Sequence, residues 1–318
     1  MLDRDYFIAF LLMSACTGVV HAQTSVTLFG KIDSAYVKKI GSPTKQLDEG
    51  AQSRFGLRGT EDLGGGLSAF FWLEHRFRSD TGAQTAARYF QGQSIVGFKG
   101  GWGSLSLGRD YIAGYTEVQL SNDPFIHTGI SSMVQAGTGG IGTVRNDGTI
   151  KYQYKGERFF FAAQRANATE PNSTILPAPT TVNHPYSLAA GYTWGNGVFV
   201  GYSQENPGGA NDKWQFAMLR GAVGPVMLST GFGAGTANDR SERRSLIVGA
   251  ALPTASGRFK LAYGRLKNTT GNTDIMKKVA IGYNHDLSKR TFVYTNFARD
   301  NAVATSKNGF ELGMQHNF

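Results

Sequence analysis

Gly309-Phe310-Glu311-Leu312-Gly313-Met314-Gln315-His316-Asn317-Phe318 ends the sequence and sets how the rest is read. Phe310, Leu312, Met314, His316 and Phe318 fall on one side of an extended chain, and Glu311, Gly313, Gln315 and Asn317 fall on the other. Successive side chains of a β-strand point to opposite faces. The stretch therefore predicts a strand with one mainly apolar and one polar face.

The same alternation recurs towards the N-terminus. Val279, Ile281 and Tyr283 oppose Ala280, Gly282 and Asn284, and Phe259, Leu261 and Tyr263 oppose Lys260, Ala262 and Gly264. Tyr186, Leu188 and Tyr192 oppose Ser187, Ala189 and Thr193; a tight Gly195-Asn196-Gly197 turn follows. Nearer the start, Val26, Leu28 and Ile32 oppose Thr27, Lys31 and Asp33. Phe55 and Leu57 oppose Arg54, Gly56 and Arg58, and Phe71, Leu73 and Phe77 oppose Glu74, Arg76 and Arg78. About sixteen such candidates are separated by turn signals, the spacing of a barrel or sandwich. Their polar sides carry Gly, Ala and scattered Arg. A sandwich face in bulk solvent would carry more Lys and Glu, so the pattern predicts the inner wall of a channel.

Three stretches resist this reading. Phe159-Phe160-Phe161 has aromatics on both faces, and 291–297 fits either register. Leu105 and Leu107 put Arg109 on the apolar face unless a β-bulge intervenes.

Composition agrees with an all-β chain. Of 318 residues, 42 are Gly and only 9 Pro, aromatics reach 12% and charged residues 17%. Charge is thus below the usual share of about a quarter. Mean hydropathy is slightly negative. That is compatible with a membrane barrel, whose wall needs only every second residue to be apolar. The connections are unequal. Those at Gly100-Gly101-Trp102-Gly103, 221–225 and 286–288 are short, whereas 38–52, 110–143, 167–184 and 233–242 are long. Membrane barrels have short turns at one end and long loops at the other. Segment 110–143 is too long for a passive hairpin, and its Ile112, Val118, Leu120, Phe125 and Ile126 predict an ordered, packed segment.

Residues 1–22 read as a signal peptide. An apolar core at 6–15 is followed by Val20-His21-Ala22, giving a mature start at Gln23 and a barrel over 23–318. Asp3 and Asp5 beside Arg4 depart from the usual positive leader, and Met13-Ser14-Ala15-Cys16 offers a rival lipid-attachment reading. Cys16 is the only cysteine, so a chain starting at Gln23 holds no disulfide. The formal net charge is +9, and no basic run exceeds two adjacent residues. This points away from nucleic acid and towards small anions or acidic headgroups. The six histidines are scattered without metal-ligand spacing. No nucleophile elbow or phosphate-binding loop occurs, so neither enzyme, cofactor nor metal is expected.

Several stretches resemble the general porins of the Gram-negative outer membrane, in their betaproteobacterial branch. They are Ser25-Val-Thr-Leu-Phe-Gly30, Ser53-Arg-Phe-Gly-Leu-Arg-Gly-Thr-Glu-Asp-Leu-Gly-Gly-Gly-Leu67, Gly103-Ser-Leu-Ser-Leu-Gly-Arg-Asp110, Val144-Arg-Asn146 and the terminal strand. The resemblance implies a 16-stranded antiparallel transmembrane β-barrel, assembled as a homotrimer among outer-membrane lipids and lipopolysaccharide. It also implies passive diffusion of ions and small hydrophilic solutes, and a third external loop, 110–143, folded inward as a constriction. By the same resemblance, Arg54, Arg109 and Arg145 are the wall arginines at that constriction and Lys31 is an inward basic residue.

Parity independently puts Arg54, Arg58, Arg76 and Arg145 on the polar face, together with Glu74. The loop's usual acidic stretch is replaced by Asn122-Asp-Pro-Phe-Ile-His127, which leaves Asp123 and Glu117 as candidate acids facing the arginines. Crowded guanidinium groups predict anion preference. The bland alternative is mutual neutralisation: Glu74 with Arg76 or Arg78, and Asp33 with Lys31. Two other functions remain open, a channel with a site for organic anions and a structural or adhesive barrel with partner-binding loops.

Overall fold

The computed structural model describes residues 25–167 and 184–318. The leader readings, Cys16 included, and most of the 167–184 connection lie outside the described residues. The first strands are β1 Ser25–Lys38, β2 Lys45–Asp48, β3 Ser53–Gly64, β4 Leu67–Phe77, β5 Ser94–Gly100 and β6 Gly103–Tyr111. Next come β7 Arg145–Lys155, β8 Phe159–Ala166, β9 Tyr186–Thr193, β10 Phe199–Asn206, β11 Lys213–Val223 and β12 Val226–Thr236. The last are β13 Glu242–Thr254, β14 Gly257–Asn268, β15 Thr273–Asp286, β16 Thr291–Asp300 and β17 Asn308–Asn317.

Each strand from β3 onward pairs antiparallel with the next in sequence. β1 closes the ring. It pairs with β17 from Lys31↔Asn317 to Lys38↔Phe310 and with β3 from Ser25↔Thr60 to Lys31↔Arg54. The four-residue β2 continues the β3 edge, against Ala35–Lys38 of β1. Without β2, sixteen strands form a closed antiparallel barrel. Closure removes every free sheet edge and pairs the backbone polar groups, as the hydrocarbon core of a bilayer requires. Phe318 takes part in it: Gly30 N–H donates to Phe318 O at 2.9 Å and Phe318 N–H to Gly30 O at 3.0 Å.

The two faces follow the alternation. On β17, Leu312 is 60% exposed and Glu311 2%. Val26, Leu28, Phe232, Ile281 and Phe297 are likewise exposed, giving the barrel an apolar outer surface. The ambiguous stretches resolve in the same way. Phe160 is buried between exposed Phe159 and Phe161. In β16, Tyr294, Asn296 and Ala298 are buried and Phe297 exposed. The expected long connection at 233–242 is shorter than read, because β12 runs on to Thr236 through its pairing with Lys213.

The 110–143 segment is ordered. It holds a π-helical turn Tyr115–Gln119, a 3-10 turn Leu120–Asn122 and one short α-helix Val134–Thr138. Val118, Phe125, Met133 and Ile141 are fully buried, each stabilising the packing by about 1.5–3 kcal/mol. Ile126 departs from the expectation: it is exposed, at φ +49°.

The segment is also fastened by hydrogen bonds to side chains of the strands. Ser229 Oγ donates to Asn122 O (2.7 Å), Trp214 Nε1 to Gly137 O (2.7 Å) and Lys278 Nζ to Ser132 O (3.0 Å). Two buried wall carboxylates accept from it. Glu311 takes the Ile130 N–H at 3.3 Å, and Glu205 takes the Thr143 N–H and the Gln119 amide, both at 3.0 Å.

Candidate functional site

Three cations stand in register across neighbouring strands. Lys31 of β1 faces Arg54 of β3, which faces Arg76 of β4. All three line a cavity of about 1010 Å³, as do Arg109, Arg145, Glu74, Tyr111, Tyr115 and His127. Glu74, two residues from Arg76 and on the same face, takes Arg76 Nε at 2.8 Å and Nη2 at 2.7 Å, and lies 3.6 Å from Arg54 Nη1. Lys31 Nζ donates to Gln315 Oε1 at 3.3 Å. The pairing of Lys31 with Asp33 considered above does not form. Asp33 instead accepts from the Gly50 and Ala51 N–H groups and from the Tyr294 hydroxyl.

Arg145 and Arg109 reach the cavity by other means. The β6–β7 register shifts between Gly108 and Asp110, where Gly108↔Thr149 is followed by Asp110↔Asn146. Gly108 has φ +124°, and a Cβ there would collide with the Ser94 carbonyl, so glycine is required. Simple parity ends at this irregularity. Beyond it, Arg109 is buried, donating to Gln91 O (3.0 Å) and to Asp147, which also pairs with Arg88 at 2.7 Å. The Arg145 guanidinium lies 4.0 Å over the Tyr111 ring and donates to the Tyr111 hydroxyl. That oxygen also accepts from Arg76 Nη2 at 3.0 Å. The Tyr111 and Tyr115 rings stack at 5.2 Å with an interplanar angle of 2°.

Three of the residues singled out in the sequence lie elsewhere. Asp123 does not face the arginines. Its carboxylate accepts the N–H groups of Phe125 (2.9 Å), His127 (3.1 Å) and Met133 (2.9 Å), organising its own segment. Glu117 pairs with Lys155 at 2.9 Å, at the short-turn end of β7. Arg58 shares a face with Arg54 but stands over Phe29 and Trp72, outside the cavity. The acid in contact with the arginines is therefore Glu74, on the wall. Tyr111, Arg88 and Asp147 were not singled out in the sequence. They follow the glycine-rich irregularity or sit in an aperiodic loop, where alternation gives no signal.

Burial pushes the His127 imidazole down to about 4, with Asp123 partly opposing the shift. It is therefore neutral near pH 7, and its Nδ1 lies 3.3 Å from the Tyr115 hydroxyl. The cavity lining thus concentrates six cationic side chains, Lys31, Arg54, Arg76, Arg88, Arg109 and Arg145, around one carboxylate that touches two of them. Low-dielectric walls focus such a field.

A family profile described as Gram-negative porin matches residues 9–305. The chain belongs to the Gram-negative porin family. Outer membrane porin protein 32 of Delftia acidovorans is 30% identical to this porin, over 96% of this chain and 91% of the relative. An outer membrane porin protein of Bordetella pertussis is 28% identical, over 99% of this chain and 100% of the relative. Among solved structures, one titled as an anion-selective porin from Comamonas acidovorans superposes with a TM-score of 0.75 at 26% identity, covering 93% of this porin and 100% of that chain. The porin is an outer-membrane β-barrel channel.

Proposed function

We propose that this porin passes ions and small hydrophilic solutes by passive diffusion with a preference for anions. In this reading residues 110–143 lie inside the barrel and narrow it. Lys31, Arg54, Arg76, Arg109 and Arg145 form the cationic side of that narrowing, with Glu74 as the acid between them. The observation that carries the reading is the cross-strand row Lys31, Arg54, Arg76, with Arg109 and Arg145 lining the same cavity. Rings of basic side chains at a narrow point select anions. The relative titled anion-selective supports the same direction.

The protein in planar bilayers tests it. Under a salt gradient the reversal potential is expected to have the sign of anion permeation, and a cation-signed potential overturns the reading. The homotrimer and the lipopolysaccharide surroundings implied by the resemblance belong to the same proposal. A detergent-corrected mass of a single chain overturns the homotrimer.

A further inference from the structure

A second recess, of about 330 Å³, lies along β1, β3, β4 and β5; it shares Trp72 with the cationic cavity but none of that cavity's basic side chains. Arg58 and Lys99 both line it, with Thr60, Phe70 and Trp72. Arg58 is four residues beyond Arg54 on β3, on the same face, towards the Gly64–Gly66 turn. At roughly 3.3 Å per residue, the two guanidinium stems are about 13 Å apart along the strand. That exceeds the Debye length of about 8 Å in physiological salt, so the two positions act on an anion independently.

The chemistry of the recess is mixed. The Arg58 guanidinium lies 5.5 Å from the Phe29 ring centroid and 5.3 Å from that of Trp72, and these two rings are 4.5 Å apart. Lys99 Nζ donates to Thr60 Oγ1 at 3.1 Å and stands 5.8 Å from the Phe70 centroid. Among the described residues, neither Arg58 nor Lys99 joins any ion pair. Both are exposed. In contrast, Arg76 and Arg109 in the larger cavity each hold a carboxylate. The recess therefore offers two unneutralised cations beside aromatic faces, on a wall whose inward side is otherwise largely polar.

We propose that this recess is a second anion station, selective for small anions with a flat apolar body, of which aryl carboxylates are the type. The carboxylate is held by Arg58 and Lys99, and the ring lies against Trp72 and Phe70. Guanidinium groups match carboxylates geometrically, and aromatic faces add attraction that acetate or chloride cannot use. The proposal rests on the reading of the chain as an anion-preferring channel, since the solute must enter the lumen.

The test uses benzoate against acetate at equal concentration, on the full porin. Benzoate is expected to reduce single-channel current saturably and acetate not. In the double variant Arg58→Gln, Lys99→Gln, the apparent affinity for benzoate falls about tenfold or more, the scale of losing a charge-assisted hydrogen bond. The reversal potential of that variant keeps its anion sign. Trp72→Leu keeps both charges and is expected to bring benzoate down to the level of acetate. Benzoate quenching of tryptophan emission in detergent, lost in Trp72→Phe, reads binding without conduction. Equal block by benzoate and acetate, or undiminished benzoate block in the double variant, overturns the station while a normal reversal potential leaves the channel reading standing. A cation-signed reversal potential overturns the channel reading, whereas quenching that depends on Trp72 and Arg58 still upholds the station.

Discussion

Arg54 on β3 and Arg76 on β4 are direct cross-strand partners, two guanidinium groups side by side on the inner face of the barrel. Like charges in that position repel. Glu74 contacts both, at 3.6 Å and 2.7 Å, and so holds together a pair that would otherwise spread. The arrangement keeps a surplus of positive charge while fixing where the two groups stand.

Replacing Arg54 or Arg145 by Glu is expected to lower the anion-to-cation permeability ratio several-fold, on the order of one reversed charge in a narrow passage. Reversal potentials under a salt gradient measure it. No shift in either variant removes these residues from the selective part of the channel.

Glu74→Gln separates two roles. Anion preference is expected to rise, because the carboxylate touching Arg54 and Arg76 loses its charge. Stability is expected to fall by about 3–5 kcal/mol, the scale for breaking a buried ion pair from one side. Denaturant unfolding of the purified barrel gives the second quantity, and bilayer recording the first.

The wall carboxylates Glu205 and Glu311 offer a test of the fastened segment. Substituting both by Ala leaves the Thr143 and Ile130 N–H groups without their acceptors, costing about 1–3 kcal/mol for each buried donor. Larger or noisier step conductance is expected if residues 110–143 narrow the passage. Conductance indistinguishable from the wild type argues that the segment does not set it.

Acid has a defined direction at His127. Its value of about 4 in the folded chain lies below the ordinary 6.5, so its packing contributes fully above about pH 6.5 and is weakened as pH falls towards 4. Hydrogen exchange of the 112–144 backbone, compared at pH 7 and pH 4.5, is expected to show faster opening at the lower pH. His127→Gln should flatten the difference, and an unchanged difference in that variant assigns it to another group.

The two faces of the wall were legible from residue spacing, because a period of two survives wherever the ladder is regular. Depth along the barrel was not. Parity puts Arg54 and Arg58 on one face, yet only Arg54 reaches the cationic cavity. Arg145 lines the cavity although the register shift at Gly108 breaks the alternation that put it on the polar face. Asp123 and Glu117 lie in a segment with no period, and their backbone and lysine partners are set by its folded path. Tyr111, whose hydroxyl joins Arg76 to Arg145, carries no mark in the sequence because its role depends on residues far from it along the chain.

The reciprocal bonds between Gly30 and Phe318 have a consequence for biogenesis. They place the seam of the cylinder between its first and its last strand. The wall cannot be sealed while synthesis is under way, and the earliest strand must wait for the latest. Until then β1 presents an unpaired edge, a template on which another chain can add a strand.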